Sequence, residues 1–217
     1  MRPRWIWLTA AVAYGLFLAW YVSWSPPLRA DEIDGYLARM EARAEAAASP
    51  ERRAAVRAFL EADDGGEFFM VNLIRLHPGE VAIPGEAGTA PADAVLERYT
   101  GFFMPKLLRR AGHPSFYGRG AGGYVDAWNV APDPGWSLAG VVRYRSRRDL
   151  MELATDPEFD PAHVYKVAAM AKTLAFPATP GIVLFGPRAF VALLLAWIAT
   201  LFHLRGLARR ARAGEAR

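Results

Sequence analysis

The sequence predicts an α+β domain of βαββαβ order held between two apolar helices. Three observations predict it. Two long apolar stretches, residues 5–24 and 189–204 (the latter within a helix near 187–207), bracket the chain and carry arginine on their outer sides. Residues 68–76 form a run that is apolar almost throughout, the strongest strand signal in the chain. Between residues 67 and 178, strand-like and helix-like periods then alternate in the order strand, helix, strand, strand, helix, strand.

Trp5–Trp24 holds no charge, and a helix of that length crosses a hydrocarbon core of about 30 Å. Trp5, Trp7, Trp20, Tyr21 and Trp24 lie towards its two ends, where amphipathic rings settle at headgroup level. A cleaved signal peptide competes with this reading, because Ser23 and Ser25 have the small-residue spacing of a cleavage site. Against it, Pro26 would follow the cut and the apolar run is long. Residues 31–62 read as a helical stalk. Ile33, Leu37 and Met40 recur at helical spacing over 31–48, and Ser49-Pro50 supplies a cap and a first-turn proline for a second helix carrying Val56, Phe59 and Leu60.

Within Phe68–Leu76, alternation places Phe68, Met70, Asn72, Ile74 and Leu76 on one face and Phe69, Val71, Leu73 and Arg75 on the other. Residues 77–91 read as a Gly- and Pro-rich loop. Residues 92–111 form a helix with Leu96, Tyr99, Phe103 and Leu107 on one stripe, which Pro105 should kink or interrupt and Gly112 should stop. Ser115–Trp128 and Leu138–Arg145 are the next strands. Ser146 to Asp149 resembles a capping box at a helix start, Asp160-Pro161 opens another helix, and Leu174–Ala178 closes the sheet. The second apolar stretch starts near Pro187, with Arg188 at its outer edge. The competing reading of that stretch is a buried core helix, which the basic residues 208–217 argue against.

Charge sets an expected orientation. Residues 29–180 carry 18 basic and 21 acidic side chains, whereas the flanks carry 8 basic and 1 acidic. Basic flanks favour the cytoplasmic side, so both flanks are expected inside an inner membrane and the middle domain outside it. The high pI belongs to the flanks, and no basic patch marks the domain as a nucleic-acid binder. The chain has no cysteine, which excludes disulfides, thiolate nucleophiles and Cys-ligated metals.

The strand, helix, strand, strand, helix, strand order is the ferredoxin-like pattern. With it come particular residues: Phe-Phe-Met-Val-Asn-Leu-Ile-Arg-Leu at 68–76, Tyr99 with Pro105 and Gly112, Val-Val-Arg-Tyr-Arg-Ser at 141–146, and Asp-Pro-Glu-Phe at 156–159 with His163. Over residues 67–176 this resembles a family of small uncharacterised domains of the dimeric α/β-barrel superfamily. Antibiotic-biosynthesis monooxygenase-like and stress-responsive barrel proteins belong there too. The chain departs from the pattern at Arg145, where a proline is usual after the tyrosine, and in its added apolar helices and stalk. The resemblance implies a homodimer in which two sheets meet, with Asn72 a polar group on the barrel-interior face. It carries over no catalytic role.

The candidate ligand-binding residues are Asn72, Arg143, Tyr144 and Trp128, and the candidate proton carriers are His163 and Tyr99. A bland reading stands beside them: Asn72 and Arg143 bond each other or backbone, and the tyrosines fill the core. Gly118 to Gly123 contains G-x-G-x-x-G, but a strand-like segment follows it, so a bulge or hairpin is expected rather than a phosphate site. Asp156, Glu158, Asp160 and His163 cluster in sequence, yet they read as turn and cap residues, and no metal or other cofactor is expected. Two functions compete. One is a membrane-anchored domain, with the bilayer as partner, that binds a small apolar ligand or a partner protein. The other is a cofactor-independent monooxygenase- or isomerase-like enzyme acting on a small aromatic or lipid-like substrate. A third reading, a domain that organises membrane helices within a complex, lacks a Gly-x-x-x-Gly packing motif in either stretch.

Overall fold

The computed structural model describes residues 3–42, 49–183 and 186–215. They fall into two units, one formed by residues 1–22 with 181–217 and one by Ser23–Pro180.

The first unit is a pair of helices, α1 (Pro3–Tyr21) and α7 (Pro187–Glu215). They run antiparallel. The Trp7 indole Nε1 donates to Nδ1 of His203 (3.2 Å) at one end, and the Arg188 guanidinium lies over the Tyr21 ring, 5.5 Å from its centroid, at the other. Ala199 and Tyr21 are buried between them, while Leu8, Leu16, Phe190, Leu193, Trp197 and Phe202 are exposed. Among the described residues one helix, Pro187–Arg212, is long and apolar enough to cross a membrane. Of the two expected stretches, α7 meets that measure and α1 by itself does not. As a helix α1 takes in Arg4 and stops at Tyr21, three residues short of Trp24, and its indole and phenol rings lower its mean hydropathy. The basic residues after Leu207 continue α7 to Glu215, and residues 216–217 lie outside the described residues.

The second unit contains α2 (Ala30–Glu41), α3 (Pro50–Glu61), β1 (Phe68–Leu76), the short strands β2 (Glu80–Ala82) and β3 (Thr89–Pro91), and α4 (Ala92–Arg109). It continues with β4 (His113–Arg119), β5 (Leu138–Tyr144), α5 (Arg147–Ala154), a 3-10 turn at Pro157–Phe159, α6 (Asp160–Ala169) and β6 (Met170–Ala178). The main sheet is antiparallel in the order β4-β5-β1-β6. Taken in chain order, the four long strands lie 2-3-1-4, with α4 and the α5–α6 pair as the connections. This is a ferredoxin-like α+β arrangement.

β1 is central because both of its faces have something to meet. On one face Phe68 stacks on Tyr144 of β5 (5.3 Å, 10°), and both join Leu107 of α4 and Leu153 of α5 in a buried cluster that Met70, Phe103 and Val142 extend. The helices therefore cover the side bearing Phe68, Met70 and Asn72. The opposite side carries Val71 and Leu73, paired with Val141, Ala139, Phe176 and Leu174. Phe116, Leu174 and Phe176 are exposed.

Several local expectations shift. The loop 77–91 folds back as the β2–β3 hairpin. Helix α4 runs unbroken through Pro105, so the proline neither ends nor divides it. It stops before Gly112: the helix ends at Arg109, and Ala111, not the glycine, takes the left-handed backbone conformation (φ 56°). A β-carbon at Gly112 would sit 2.3 Å from Leu107 Cδ1 and 3.0 Å from the Arg143 carbonyl, which only glycine avoids. Strand β4 ends at Arg119 rather than Trp128. Gly120 donates to Ser137 O (2.8 Å), and a β-carbon at Gly120 would strike Trp136 O at 2.3 Å, so the glycine run leaves the sheet as a loop. Asp149 completes the expected cap: Ser146 Oγ accepts from Asp149 N (3.1 Å) and donates to its carboxylate (2.7 Å).

The helices read as a stalk pack into this unit. Ile33, Tyr36 and Leu37 of α2 and Leu60 of α3 bury against Met151 of α5, and Phe59 meets Phe68 edge-on (5.1 Å). Residues 43–48, the far end of the first of these helices as read from sequence, lie outside the described residues.

Candidate functional site

A cavity of about 630 Å³ lies between the helix-covered face of the sheet and α4, α5 and α6, a size that suits a small molecule. Phe103, Leu150, Leu153, Phe159, Met70 and Ala175 form most of its wall. Seven polar residues also reach it: Asn72 from β1, Tyr99 from α4, Tyr144 from β5, Asp160, His163 and Lys166 from α6, and Arg52 from α3.

Strand alternation puts Asn72 here, two residues after Met70 on the same face. The sequence reading placed it on the face that a second sheet would cover; it faces the helices instead. Its amide nitrogen donates to Met70 O of its own strand (2.9 Å), and its Oδ1 has no partner among the described residues. Tyr99 stacks on Phe103 (5.7 Å, 12°) and meets Phe159 edge-on (5.3 Å). Burial raises the Tyr99 phenol above its ordinary range. It does the same to Tyr144, with the neighbouring Tyr99 adding to the effect. Both rings thus hold their protons at neutral pH. His163 and Lys166 sit three residues apart on α6, hence on one helix face. The Lys166 ammonium lies 5.6 Å from the Tyr99 ring centroid. Burial lowers its affinity for a proton, and the charge of Arg52 lowers it further.

Arg143 does not belong to this site. It neighbours Tyr144 on one strand, and adjacent strand residues point to opposite faces, so the two cannot both line the cavity. Its side chain is 1% exposed. Its Nε and Nη2 reach the Glu67 carboxylate at 2.7 and 2.6 Å, and its Nη1 donates to Ala111 O (2.6 Å). Trp128 is also displaced, 83% exposed in the loop that follows β4. Asp156 and Glu158 are engaged by the Lys106 ammonium at 2.6 and 2.9 Å, and Asp156 Oδ1 also accepts from Glu158 N. Lys106 is thereby held more firmly protonated. Among the described residues no group of three or more His, Asp or Glu could hold a metal ion.

Of the five residues that the sequence suggests for one pocket, Asn72, Tyr99, Arg143, Tyr144 and His163, all but Arg143 line this cavity. The sequence reading missed Lys166, Arg52 and the aromatic wall from Phe159. One signal for Lys166 was present: only three of the chain's 26 basic side chains are lysine, and one of them falls a turn after His163.

No protein-family model matches the chain, and no curated protein matches it either. Among solved structures, it is similar to a protein of unknown function from Rhodopseudomonas palustris, at 23% identity over 62% of this chain and 95% of that one, with a TM-score of 0.49. It is also similar to SnoaB, a cofactor-independent oxygenase from Streptomyces nogalater, at 15% identity over 56% and 99% of the two chains, TM-score 0.35. A dimeric protein of unknown function with a ferredoxin-like fold from Bacteroides fragilis matches at 14% identity over 53% and 97%, TM-score 0.33.

Proposed function

We propose that this chain is a membrane-anchored protein whose ferredoxin-like domain binds a small, largely apolar ligand in the cavity between its sheet and helices. The observation that carries this reading is the cavity's make-up: aromatic and aliphatic walls with Asn72 and His163 among the polar groups converging on one space. The apolar body of the ligand lies against Phe103, Phe159 and Leu153. A polar head reaches Asn72 Oδ1, which fixes its direction. Anchoring is supported by α7, whose apolar residues are nearly all exposed, unlike those of a buried core helix. Because α1 lies antiparallel along α7, it passes through the bilayer with it, and residues 23–180 lie on the extracytoplasmic side.

The domain also pairs with a second copy through the uncovered side of the sheet. Val71, Leu73, Val141, Phe116, Leu174 and Phe176 make that side apolar, and a second copy shields it from water.

The binding reading is tested by titrating the detergent-solubilised full chain with naphthol and following its fluorescence. One saturable site is expected, and Asn72→Leu should weaken it about tenfold, roughly the worth of one hydrogen bond, without loss of the folded state. Binding unchanged in Asn72→Leu, or absent from the unaltered chain, overturns the reading. A second reading, a cofactor-independent oxygenase- or isomerase-like enzyme, is favoured by one observation. Tyr99 and Tyr144, both held protonated, share the cavity with His163, a donor–acceptor set suited to moving a proton on a bound substrate.

A further inference from the structure

Three lysines occur among the 26 basic side chains, and their surroundings differ. Lys106 is clasped by Asp156 and Glu158. Lys172 is exposed on the edge strand β6. Lys166 opens on the cavity, and among the described residues no carboxylate or other acceptor bonds its amine. The titratable groups facing it are Tyr99 from α4, Tyr144 from β5, Asp160 and His163 from α6, and Arg52 from α3; α2 and α5 contribute only apolar side chains to this wall. A chain that uses arginine nearly everywhere, Arg52 of this cavity included, thus keeps a lysine at this position of α6. Guanidinium cannot shed its proton and amine can, so the choice matters chemically.

We propose that Lys166 is a nucleophilic amine that condenses with an apolar aldehyde or ketone held in the cavity; this rests on the ligand-binding reading above. The Nζ lone pair attacks the carbonyl carbon, the C–O π electrons move to oxygen, and a proton passes from nitrogen to that oxygen to give a carbinolamine. Loss of water then yields an imine. One amine and one carbonyl become one imine and one water, with no oxidant or reductant, and hydrolysis reverses the step. His163, one turn away on the same face of α6, is placed to carry the proton between nitrogen and oxygen. Burial of the Lys166 amine, then the nearby Arg52 cation, lowers its hold on a proton, the direction that favours a nucleophilic amine.

The test uses the detergent-solubilised full chain, naphthaldehyde and cyanoborohydride at neutral pH, read by intact mass and peptide mapping. The expected result is a single reduced adduct on Lys166, formed about tenfold faster than on Lys106 or Lys172, since a less basic amine keeps more of its free form at neutral pH. Naphthol should compete with it. Lys166→Arg and Lys166→Met should both keep the folded state, read by circular dichroism, yet lose the fast adduct. Equal labelling of all three lysines, or a fast adduct that survives in both variants, overturns the inference while naphthol binding stands. If naphthol fails to bind the unaltered chain, the cavity reading falls and takes this inference with it.

Discussion

At Arg143 the guanidinium is enclosed and held by the Glu67 carboxylate and the Ala111 carbonyl. Replacing it with methionine leaves Glu67 and that carbonyl without their donor. Arg143→Met should therefore lower unfolding stability by about 3 kcal/mol in denaturant titration, while naphthol binding by the protein that remains folded is unchanged. A loss of binding without a loss of stability would return Arg143 to the site. The residue looked functional in sequence because a buried structural arginine and a ligand-binding one present the same letter in the same strand. The parity of the strand decides between them: Tyr144 takes the cavity side, so Arg143 cannot. Asn72 was legible as an unusual polar group, but which face of β1 the helices would cover was not, since both faces are apolar. For Lys166 the scarcity of lysine was the one signal, and it does not tell a solvent-facing helix lysine from one turned inward.

Elements were more legible than their partners. The strands β1 and β5 and the caps at Ser49 and Ser146 follow from local chemistry. The attachment of α2 and α3 did not, because an amphipathic stripe says that a helix buries one face without saying against what. Here the partner is α5. Besides apolar packing, Glu32 of α2 pairs with Arg148 of α5, each side chain 22% exposed. The hydrogen bond from Arg148, then that from the Arg29 amide, holds the Glu32 carboxyl down at about 2, against an ordinary value of 4.5. A carboxyl whose folded value is depressed stabilises the fold fully above its unfolded value and loses that contribution as pH falls towards the folded one. The difference in melting temperature between the unaltered chain and Glu32→Gln should be constant above about pH 4.5 and close between there and about pH 2. A gap that persists at the acid end would show that the pair contributes nothing through charge. Pro105 makes the complementary point about element interiors. The helix tolerates a missing N–H because packing of Leu107, Phe103 and Tyr99 holds the turns on either side.

At the scale of the whole molecule, the pairing of sheets and the crossing of the bilayer are the two open associations. Light scattering on the detergent-solubilised chain should give a dimer, and Leu174→Asp with Phe176→Asp should give a monomer that still binds naphthol, because those side chains lie on the sheet side away from the cavity. A dimer that persists would place the contact elsewhere. A reporter active only outside the cytoplasm should signal when fused after residue 62 and stay silent when fused after residue 215; signal at the second position defeats the proposed crossing of α1 and α7.

The contact of Tyr21 with Arg188 has a consequence for the folded domain. It clamps together the two points where the polypeptide leaves the helix pair and returns to it, so residues 23–180 form a closed ring of chain. While the clamp holds, the unfolded ring has fewer configurations than a free chain. A reversible clamp constrains the unfolded chain only while it is closed, so the tether adds at most about the strength of the contact, ~1 kcal/mol, to the domain's resistance to unfolding. Cutting the backbone once between Pro180 and Pro187 would release it.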